Sequence, residues 1–285
     1  MKPPIMIVGC GRSGTTLLYR MLCCHPDLAW FSNVTDRWPS LPALAALSNA
    51  YPKAASWGVD LKLIPIPSEG YSFWNMLNRL DDLPVDEPLT ERDASDRARA
   101  AAAARIGAVM RFQRKLRFVN KATRNVRRIR YVDALLDDPV FVNVVRDPRA
   151  TVASLLQVAF WPEIVVWCEG NVTPREWVSA GRDETELAAR LWVADIDRSL
   201  ADREAIAADR IADVRYEELT GDPLGVVGAL SGRLGLPMSG RSVRSWRAFG
   251  IADRNEASRT GLTNAQLDTI TRVAGPVAER IGYTW

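Results

Sequence analysis

The sequence has little of what metal sites and disulfide frameworks require. Its 285 residues include one histidine, His25, and four cysteines, none of which forms a Cys-x-x-Cys pair. Histidine and cysteine are common zinc ligands, and cysteines at paired spacings mark a disulfide framework. We therefore expect a reduced chain that holds no metal ion.

Long apolar runs are also lacking. No segment approaches the roughly 20 apolar residues that cross a bilayer. The first apolar stretch, Ile5 to Gly11, is too short for a secretory signal and is followed too soon by Arg12. These absences predict a cytoplasmic protein without a transmembrane segment.

Neither sign of charge dominates, because 37 Lys and Arg face 34 Asp and Glu, for a net charge of +3. Hydrophobic residues make up 47% of the chain, which excludes intrinsic disorder and suffices for a core. A basic stretch, residues 105–130, holds ten Lys and Arg. Such clusters can bind nucleic acid, but no recognition motif accompanies this one. We interpret it as a solvated helix face and expect no nucleic-acid partner.

The order of apolar runs predicts an α/β fold. Short continuous apolar runs, typical of strands buried on both faces, alternate with helical patterns. The predicted strands are Ile5 to Val8, Trp57 to Ile64, Phe118 to Lys121, Pro139 to Val145 and Ala212 to Tyr216. The predicted helices are Thr15 to Cys24, Ser95 to Leu116, Arg149 to Ala159, Glu184 to Asp209, Pro223 to Leu234 and Thr263 to Ile281. This alternation predicts a central parallel sheet flanked by helices.

Nothing in the sequence divides the chain. It contains no internal repeat and no long linker, so residues 1–285 are predicted to form one domain. Pro65 to Pro88, which holds four prolines, is the best candidate for an excursion from the sheet.

The most informative segment is a glycine-rich turn between the first strand and the first helix. It reads Gly9-Cys10-Gly11-Arg12-Ser13-Gly14-Thr15-Thr16, with its outer glycines spaced as in the nucleotide-binding loop G-x-x-x-x-G-K-[ST]. Glycine lets the backbone approach an anion, and the free amides at a helix start bind it. Thr15 replaces the lysine of that loop, and the positive charge is Arg12 instead. Because a metal-bound triphosphate needs the lysine, the turn predicts a smaller anion.

A second strand, turn and helix carry a second predicted anion site. Arg146 follows the predicted strand at its carboxyl end, where ligands dock in open α/β sheets. Ser154 lies eight residues later, two turns into the helix, so both side chains can reach one phosphate. Taken alone, these residues are equally well explained by a surface Arg146–Asp147 ion pair and an exposed serine.

Together, the two segments resemble sulfotransferases that use 3′-phosphoadenosine-5′-phosphosulfate. Residues 7–18 are similar to that family's 5′-phosphosulfate loop, and residues 144–149 with Ser154 are similar to its 3′-phosphate site. Three weaker matches accompany them. Residues 121–125 resemble K-x-P-x-N with Thr123 in place of proline, and residues 214–219 resemble R-Y-E-[DE]-L. The third is Trp246-Arg247 before a closing helix that ends in Gly282-Tyr283. The resemblance implies a three-layer fold like that of P-loop NTPases. It also implies an enzyme that transfers a sulfuryl group to an acceptor hydroxyl or amine by in-line displacement.

The resemblance also implies which residues bind the donor. Its 5′ end would be held by Gly11, Arg12, Ser13, Gly14, Thr15 and Thr16. Arg146 and Ser154 would bind the 3′-phosphate, Tyr216 would lie near the adenine, and Arg247 or Arg244 would close over the 3′-phosphate. Arg12 and the loop amides would stabilise the charge that develops on the leaving phosphate, without a metal.

The general base is the least defined part of the predicted site. Related sulfotransferases often carry a glutamate shortly after the His-Pro that ends the first helix, and Asn33 stands about there. An amide cannot accept the acceptor's proton. Asp36, the nearest carboxylate, is the first choice, His25 the second and Glu69 the third.

Alternatives to this function stay open at this point. A P-loop kinase of a small molecule is disfavoured by Thr15, whereas a non-catalytic binder of adenosine bisphosphate is favoured by Asn33. The sequence does not choose among small-molecule, lipid and carbohydrate acceptors, and it does not define the oligomeric state.

Overall fold

Five parallel strands organise the chain. The structure, a computed structural model, describes residues 2–56, 64–249, 251, 255 and 260–284. The strands are β1 (Ile5–Val8), β2 (Leu28–Ala29), β3 (Arg117–Lys121), β4 (Val140–Val145) and β5 (Ile211–Arg215). They form one sheet in the order β2-β3-β1-β4-β5, and every neighbouring pair is parallel. The predicted parallel α/β sheet is therefore confirmed.

Helices connect the strands and cover both faces of the sheet. The α-helices are α1 (Thr15–Leu22), α2 (Asn33–Arg37), α3 (Tyr51–Ser56), α4 (Tyr71–Leu80), α5 (Asp96–Gln113), α6 (Ile129–Leu135), α7 (Pro148–Leu156), α8 (Pro174–Ser179), α9 (Glu184–Arg203), α10 (Tyr216–Gly221), α11 (Pro223–Arg233), α12 (Gly240–Ala248) and α13 (Asn264–Arg280). Short 3₁₀ helices lie between several of them, among them Thr123–Arg127 after β3. No helix within the described ranges combines the length and the apolar character that crossing a membrane requires.

The central strand β1 contributes side chains to an apolar cluster on each face of the sheet. All four of its residues are buried, and alternate side chains point to opposite faces of the sheet. Met6 and Val8 belong to the apolar cluster that α4, α5 and α6 cover. Ile5 and Ile7 belong to the cluster under α1, α11 and α12. This is the three-layer arrangement expected of a sheet that is buried on both sides.

The structure departs from the predicted elements in a few places. Most of the predicted strand Trp57 to Ile64 lies outside the described residues. The two-residue strand β2 was not predicted, because a run that short carries no periodicity. Pro65 to Pro88 holds no strand, as expected, but its helix α4 packs Phe73, Trp74 and Leu77 into the core. That residues 1–285 form one domain stays a prediction.

Candidate active site

A large cavity opens where the central strands end. It has a volume of ≈ 1350 Å³ and is lined by residues at or just after the carboxyl ends of β1, β3 and β4, among them Arg12, Lys121 and Arg146. This is the edge of an open α/β sheet at which ligands dock. Pockets that hold one small molecule usually measure about 300–1,000 Å³. The cavity therefore has room for two molecules.

The turn after β1 requires glycine at two positions. Gly9 has φ 150°, and a Cβ there would lie 2.4 Å from the carbonyl oxygen of Val144. Gly14 has φ 94°, and a Cβ there would lie 2.4 Å from Cδ2 of Tyr216. Gly14 also caps α1 without any side-chain hydrogen bond. Because the first amides of a helix have no partner within it, the turn and the start of α1 present N–H groups to an anion.

The two predicted anion sites meet in the cavity. Arg12 Nε donates to Ser154 Oγ at 3.1 Å, which joins the β1 turn to α7. Arg146 Nη1 donates to the carbonyl oxygen of Arg12 at 3.0 Å. Gly11, Gly14, Thr15, Thr16 and Tyr216 line the same cavity. One ligand can therefore contact both segments.

Arg146 is held by contacts that the sequence did not reveal. Its guanidinium stacks on the ring of Tyr216, 4.2 Å from the centroid. Its Nε donates to Asn255 Oδ1 at 2.7 Å, and Asn255 Nδ2 donates to Glu217 Oε1 at 2.7 Å. Tyr283 donates its hydroxyl proton to Glu217 Oε2 at 2.9 Å. The Arg-Tyr-Glu motif was a signal for Glu217, and the closing helix that ends in Gly282-Tyr283 was a weaker one for Tyr283, whereas no signal pointed to Asn255.

Some predicted donor-binding residues do not line the cavity. Ser13 is buried, and its hydroxyl has no hydrogen-bond partner among the described residues, so only its backbone can serve the turn. Arg244 and Arg247 are exposed on α12 and are absent from the cavity wall. The arginines of α12 therefore do not close over this site in the structure.

The first two candidates for the general base lie outside the cavity. The carboxylate of Asp36 accepts from the backbone N–H of Ser72 at 3.2 Å and from its hydroxyl at 2.8 Å, and it also contacts the hydroxyl of Ser68. His25 is fully buried, with Nε2 at 2.8 Å from the carbonyl oxygen of Pro237. Its Nδ1 accepts from the N–H of Asp27, and burial lowers its pKa. The structure thus uses both side chains to fix turns.

Glu69 is the candidate that the structure brings to the cavity wall. Its Oε1 lies 2.5 Å from Lys121 Nζ, and its Oε2 accepts from Tyr71 at 2.9 Å and from the N–H of Thr123 at 3.2 Å. Burial by itself would raise the pKa of Glu69, but Lys121 and these hydrogen bonds together lower it. The carboxylate is therefore ionised at neutral pH.

Asn33 joins α2 to the segment around Ile66 by hydrogen bonds, one of which uses its side-chain amide oxygen. Its Oδ1 accepts from the N–H of Ile66 at 3.0 Å, while its own N–H donates to the carbonyl oxygen of Ile66 at 3.0 Å. The N–H of Ser68 donates to the carbonyl oxygen of Phe31 at 2.8 Å. Asn33 and Asp36 thereby fasten residues 66–72, the segment that carries Glu69 into the cavity.

The comparison with known families decides the class of protein. The sequence model of the sulfotransferase family matches residues 3–240, most of the chain. The chain belongs to the sulfotransferase family. It is therefore a transferase of sulfuryl groups, and the kinase alternative loses its support. Sulfotransferases generally take that group from 3′-phosphoadenosine-5′-phosphosulfate.

Solved sulfotransferases share the fold. Sulfotransferase STF9 from Mycobacterium avium has a TM-score of 0.65 at 18% identity, over 99% of this chain and 78% of that chain. Sulfotransferase STF1 from Mycobacterium tuberculosis H37Rv has a TM-score of 0.55 at 19% identity, over 96% of this chain and 77% of that chain. The sulfotransferase domain of the Synechococcus PCC 7002 olefin synthase has a TM-score of 0.51 at 20% identity, over 100% and 97%. No curated protein matches the sequence.

The sulfotransferase cavity has further lining side chains that sequence reasoning missed. Arg20, Asp86, Arg127 and Asp195 line it, and each comes from a different part of the chain. No cluster of three or more His, Cys, Asp or Glu able to hold a metal ion occurs in the part of the chain that the structure describes.

Proposed function

We propose that the cavity binds 3′-phosphoadenosine-5′-phosphosulfate beside an acceptor and transfers the sulfuryl group to a hydroxyl of that acceptor. The observation that carries this proposal is the 3.1 Å hydrogen bond from Arg12 to Ser154, since it places both anion-binding segments on one cavity. A nucleotide with phosphates at both its 5′ and 3′ positions needs such a pair of sites.

The donor side of the cavity fits a doubly phosphorylated nucleotide. The amides of the β1 turn, with the hydroxyls of Thr15 and Thr16, would hold the 5′ end. Arg146 and Ser154 would bind the 3′-phosphate, and Arg146 is already oriented by its stacking on Tyr216. A guanidinium held on two sides loses little freedom when a phosphate binds it.

Transfer is an in-line displacement at sulfur. The acceptor oxygen forms a bond to sulfur while the bond from sulfur to the bridging phosphate oxygen breaks. Negative charge then moves to that oxygen, where Arg12, Lys121 and the loop amides stabilise it. The acceptor's hydroxyl proton passes to a carboxylate of the enzyme, and adenosine 3′,5′-bisphosphate leaves.

Glu69 is the carboxylate that the geometry supports as the base. Among the described residues, Oε1 accepts only from Lys121, so one lone pair of that oxygen is available to an acceptor hydroxyl. Lys121 is buried and would hold the carboxylate in place beside the charge that develops on the donor. Asp36 is then a positioning residue, because its hydrogen bonds to Ser68 and Ser72 flank Glu69 on both sides.

Calorimetry tests the assignment of the 3′-phosphate site. Arg146→Ala should weaken binding of adenosine 3′,5′-bisphosphate by about 1.5–3 kcal/mol, the range for a hydrogen bond to a charged group. Binding of adenosine 5′-monophosphate, which lacks the 3′-phosphate, should barely change. Arg149→Ala is the matched control, since Arg149 pairs with Asp147 and does not line the cavity. Equal losses for both nucleotides would overturn the assignment.

A further inference from the structure

The acceptor side of the cavity combines apolar walls with a buried polar cluster. We define this side as the lining residues that the proposed function does not give to the donor, so any inference about it rests on that function. Its apolar walls come from α7, from the segment after it and from α9, and include Leu155, Val158, Ile164, Val165, Leu191 and Trp192. An acceptor that fills this space must present an apolar body.

Asp195 leaves an unsatisfied oxygen in this wall. The residue is 5% exposed and lines the cavity. Its Oδ1 accepts from Arg127 Nη1 at 3.3 Å and from Trp167 Nε1 at 3.0 Å. Its Oδ2 accepts no hydrogen bond from any residue that the structure describes. Because Asp195 lines the cavity and this oxygen keeps its lone pairs free, Oδ2 can accept a hydrogen bond from a ligand in the cavity.

The charges around Asp195 favour a neutral donor. Arg127 lies 3.8 Å from Asp86 as well as 3.3 Å from Asp195, and Arg124 Nε lies 2.9 Å from Asp86. The charges of the two arginines and the two aspartates sum to zero. A ligand ammonium or carboxylate bound here would therefore find no unpaired protein charge of opposite sign. Burying an unpaired charge costs far more than burying a hydroxyl that makes its hydrogen bonds.

The polar cluster is separated from the reacting position. Glu69 contacts Thr123 at the start of the 3₁₀ helix Thr123–Arg127, and the cluster is reached from Arg127 at its end. Four residues of 3₁₀ helix rise about 8 Å along the axis. This spacing along the backbone is the ground for expecting a ligand several carbon atoms long.

We propose that the acceptor is an amphipathic diol. One hydroxyl is sulfated beside Glu69, the apolar body lies against the walls, and the second hydroxyl donates a hydrogen bond to Oδ2 of Asp195. The second hydroxyl orients the acceptor and takes no part in the bond changes.

Matched straight-chain acceptors test this inference. Labelled sulfuryl transfer is measured with α,ω-diols from hexane to dodecane length and with the primary alcohols, ω-amino alcohols and ω-hydroxy acids of the same lengths. At the best length, kcat/KM for the diol should exceed that for the alcohol by about tenfold to a hundredfold, the range for a hydrogen bond to a charged group. The amino alcohol and the hydroxy acid should be poorer than the diol.

Asp195→Asn should remove that preference, because the substitution replaces an acceptor by an N–H₂ donor. The ratio of diol to alcohol should fall to about one, while affinity for adenosine 3′,5′-bisphosphate stays unchanged. Asp202→Asn is the control, since Asp202 is a buried carboxylate of the same helix that pairs with Arg198 away from the cavity. The control should keep the full ratio.

The outcomes separate the two proposals. Equal turnover of diols and alcohols by the unchanged enzyme, or turnover of none of the four sets, overturns the diol inference whatever the variant does. Failure to bind adenosine 3′,5′-bisphosphate overturns the proposed function itself. If Asp195→Asn does not fold, the comparison of acceptors on the unchanged enzyme still decides.

Discussion

The donor side and the acceptor side of the cavity are built in different ways. The donor side consists mainly of the backbone of one turn. Gly9 lets the carbonyl oxygen of Val144 approach that backbone, and Gly14 lets the ring of Tyr216 approach it. The acceptor side consists mainly of side chains from separate stretches, among them those near residues 69, 86, 121–127, 155–165 and 188–195. A turn made of backbone suits a ligand that never changes, whereas a wall of side chains can be altered one residue at a time.

The largest effect should come from one side chain of the acceptor side. Glu69→Gln keeps the shape of the side chain but removes the proton acceptor, so single-turnover transfer should slow by about 10²–10⁴-fold. Donor affinity should stay unchanged. Because Lys121 and its neighbours hold the pKa of Glu69 below the usual value, the rate should be flat near neutral pH and fall as pH drops through that pKa.

Asp36→Asn provides the contrast to that variant. It keeps one oxygen for the hydroxyl of Ser72 and lies outside the cavity, so its rate should fall much less than that of Glu69→Gln. The reverse order of the two rates would return the role of base to Asp36.

A smaller effect should come from adding one methyl group to the donor side. Gly14→Ala places a side chain at φ 94° and brings its Cβ to 2.4 Å from the ring of Tyr216. Strain of this kind costs about 1–3 kcal/mol, and the displaced ring would also shift Arg146. Thermal unfolding should therefore begin at a lower temperature.

Gly11→Ala is the matched variant in the same turn. Its Cβ would meet nothing within 4 Å, so its melting temperature should stay close to that of the unchanged protein. Equal destabilisation by both alanines would contradict the view that Gly14 is required for its conformation.

The smallest effect should come from α12. Arg247→Ala removes an exposed arginine that does not line the cavity, so affinity for adenosine 3′,5′-bisphosphate should change by less than about 0.5 kcal/mol in calorimetry. A loss as large as that of Arg146→Ala would show that α12 moves onto the bound nucleotide, as the resemblance implied.

The meeting of the two predicted anion-binding segments could be predicted from the sequence because the parts of each segment are contiguous. Gly9 to Thr16 form one turn, and Arg146 and Ser154 lie within one strand-to-helix segment, so spacing alone relates them. Strands β1, β3, β4 and β5 were predicted to within a residue or so, because continuous apolar runs mark buried strands. The sulfotransferase fold followed from these parts.

The acceptor side could not be predicted in the same way. Asn33 and Asp36 hold residues 66–72 against α2 and so help to place Glu69 at the cavity, and no local pattern encodes that contact. Proximity in sequence favoured Asp36 over Glu69, whereas Glu69 is the one of the two that lines the cavity. Asp195 carried no signal either, since an aspartate in an amphipathic helix is ordinarily exposed.

Glu217 ties three distant parts of the chain to one carboxylate. It accepts from the backbone N–H of Asp147, from the amide of Asn255 and from the hydroxyl of Tyr283. Replacing Glu217 would remove the acceptor of three hydrogen bonds at once. Replacing Asn255 or Tyr283 would remove one donor to Glu217. We therefore expect these positions to vary together among homologues, so that a homologue without the glutamate has also exchanged its partners.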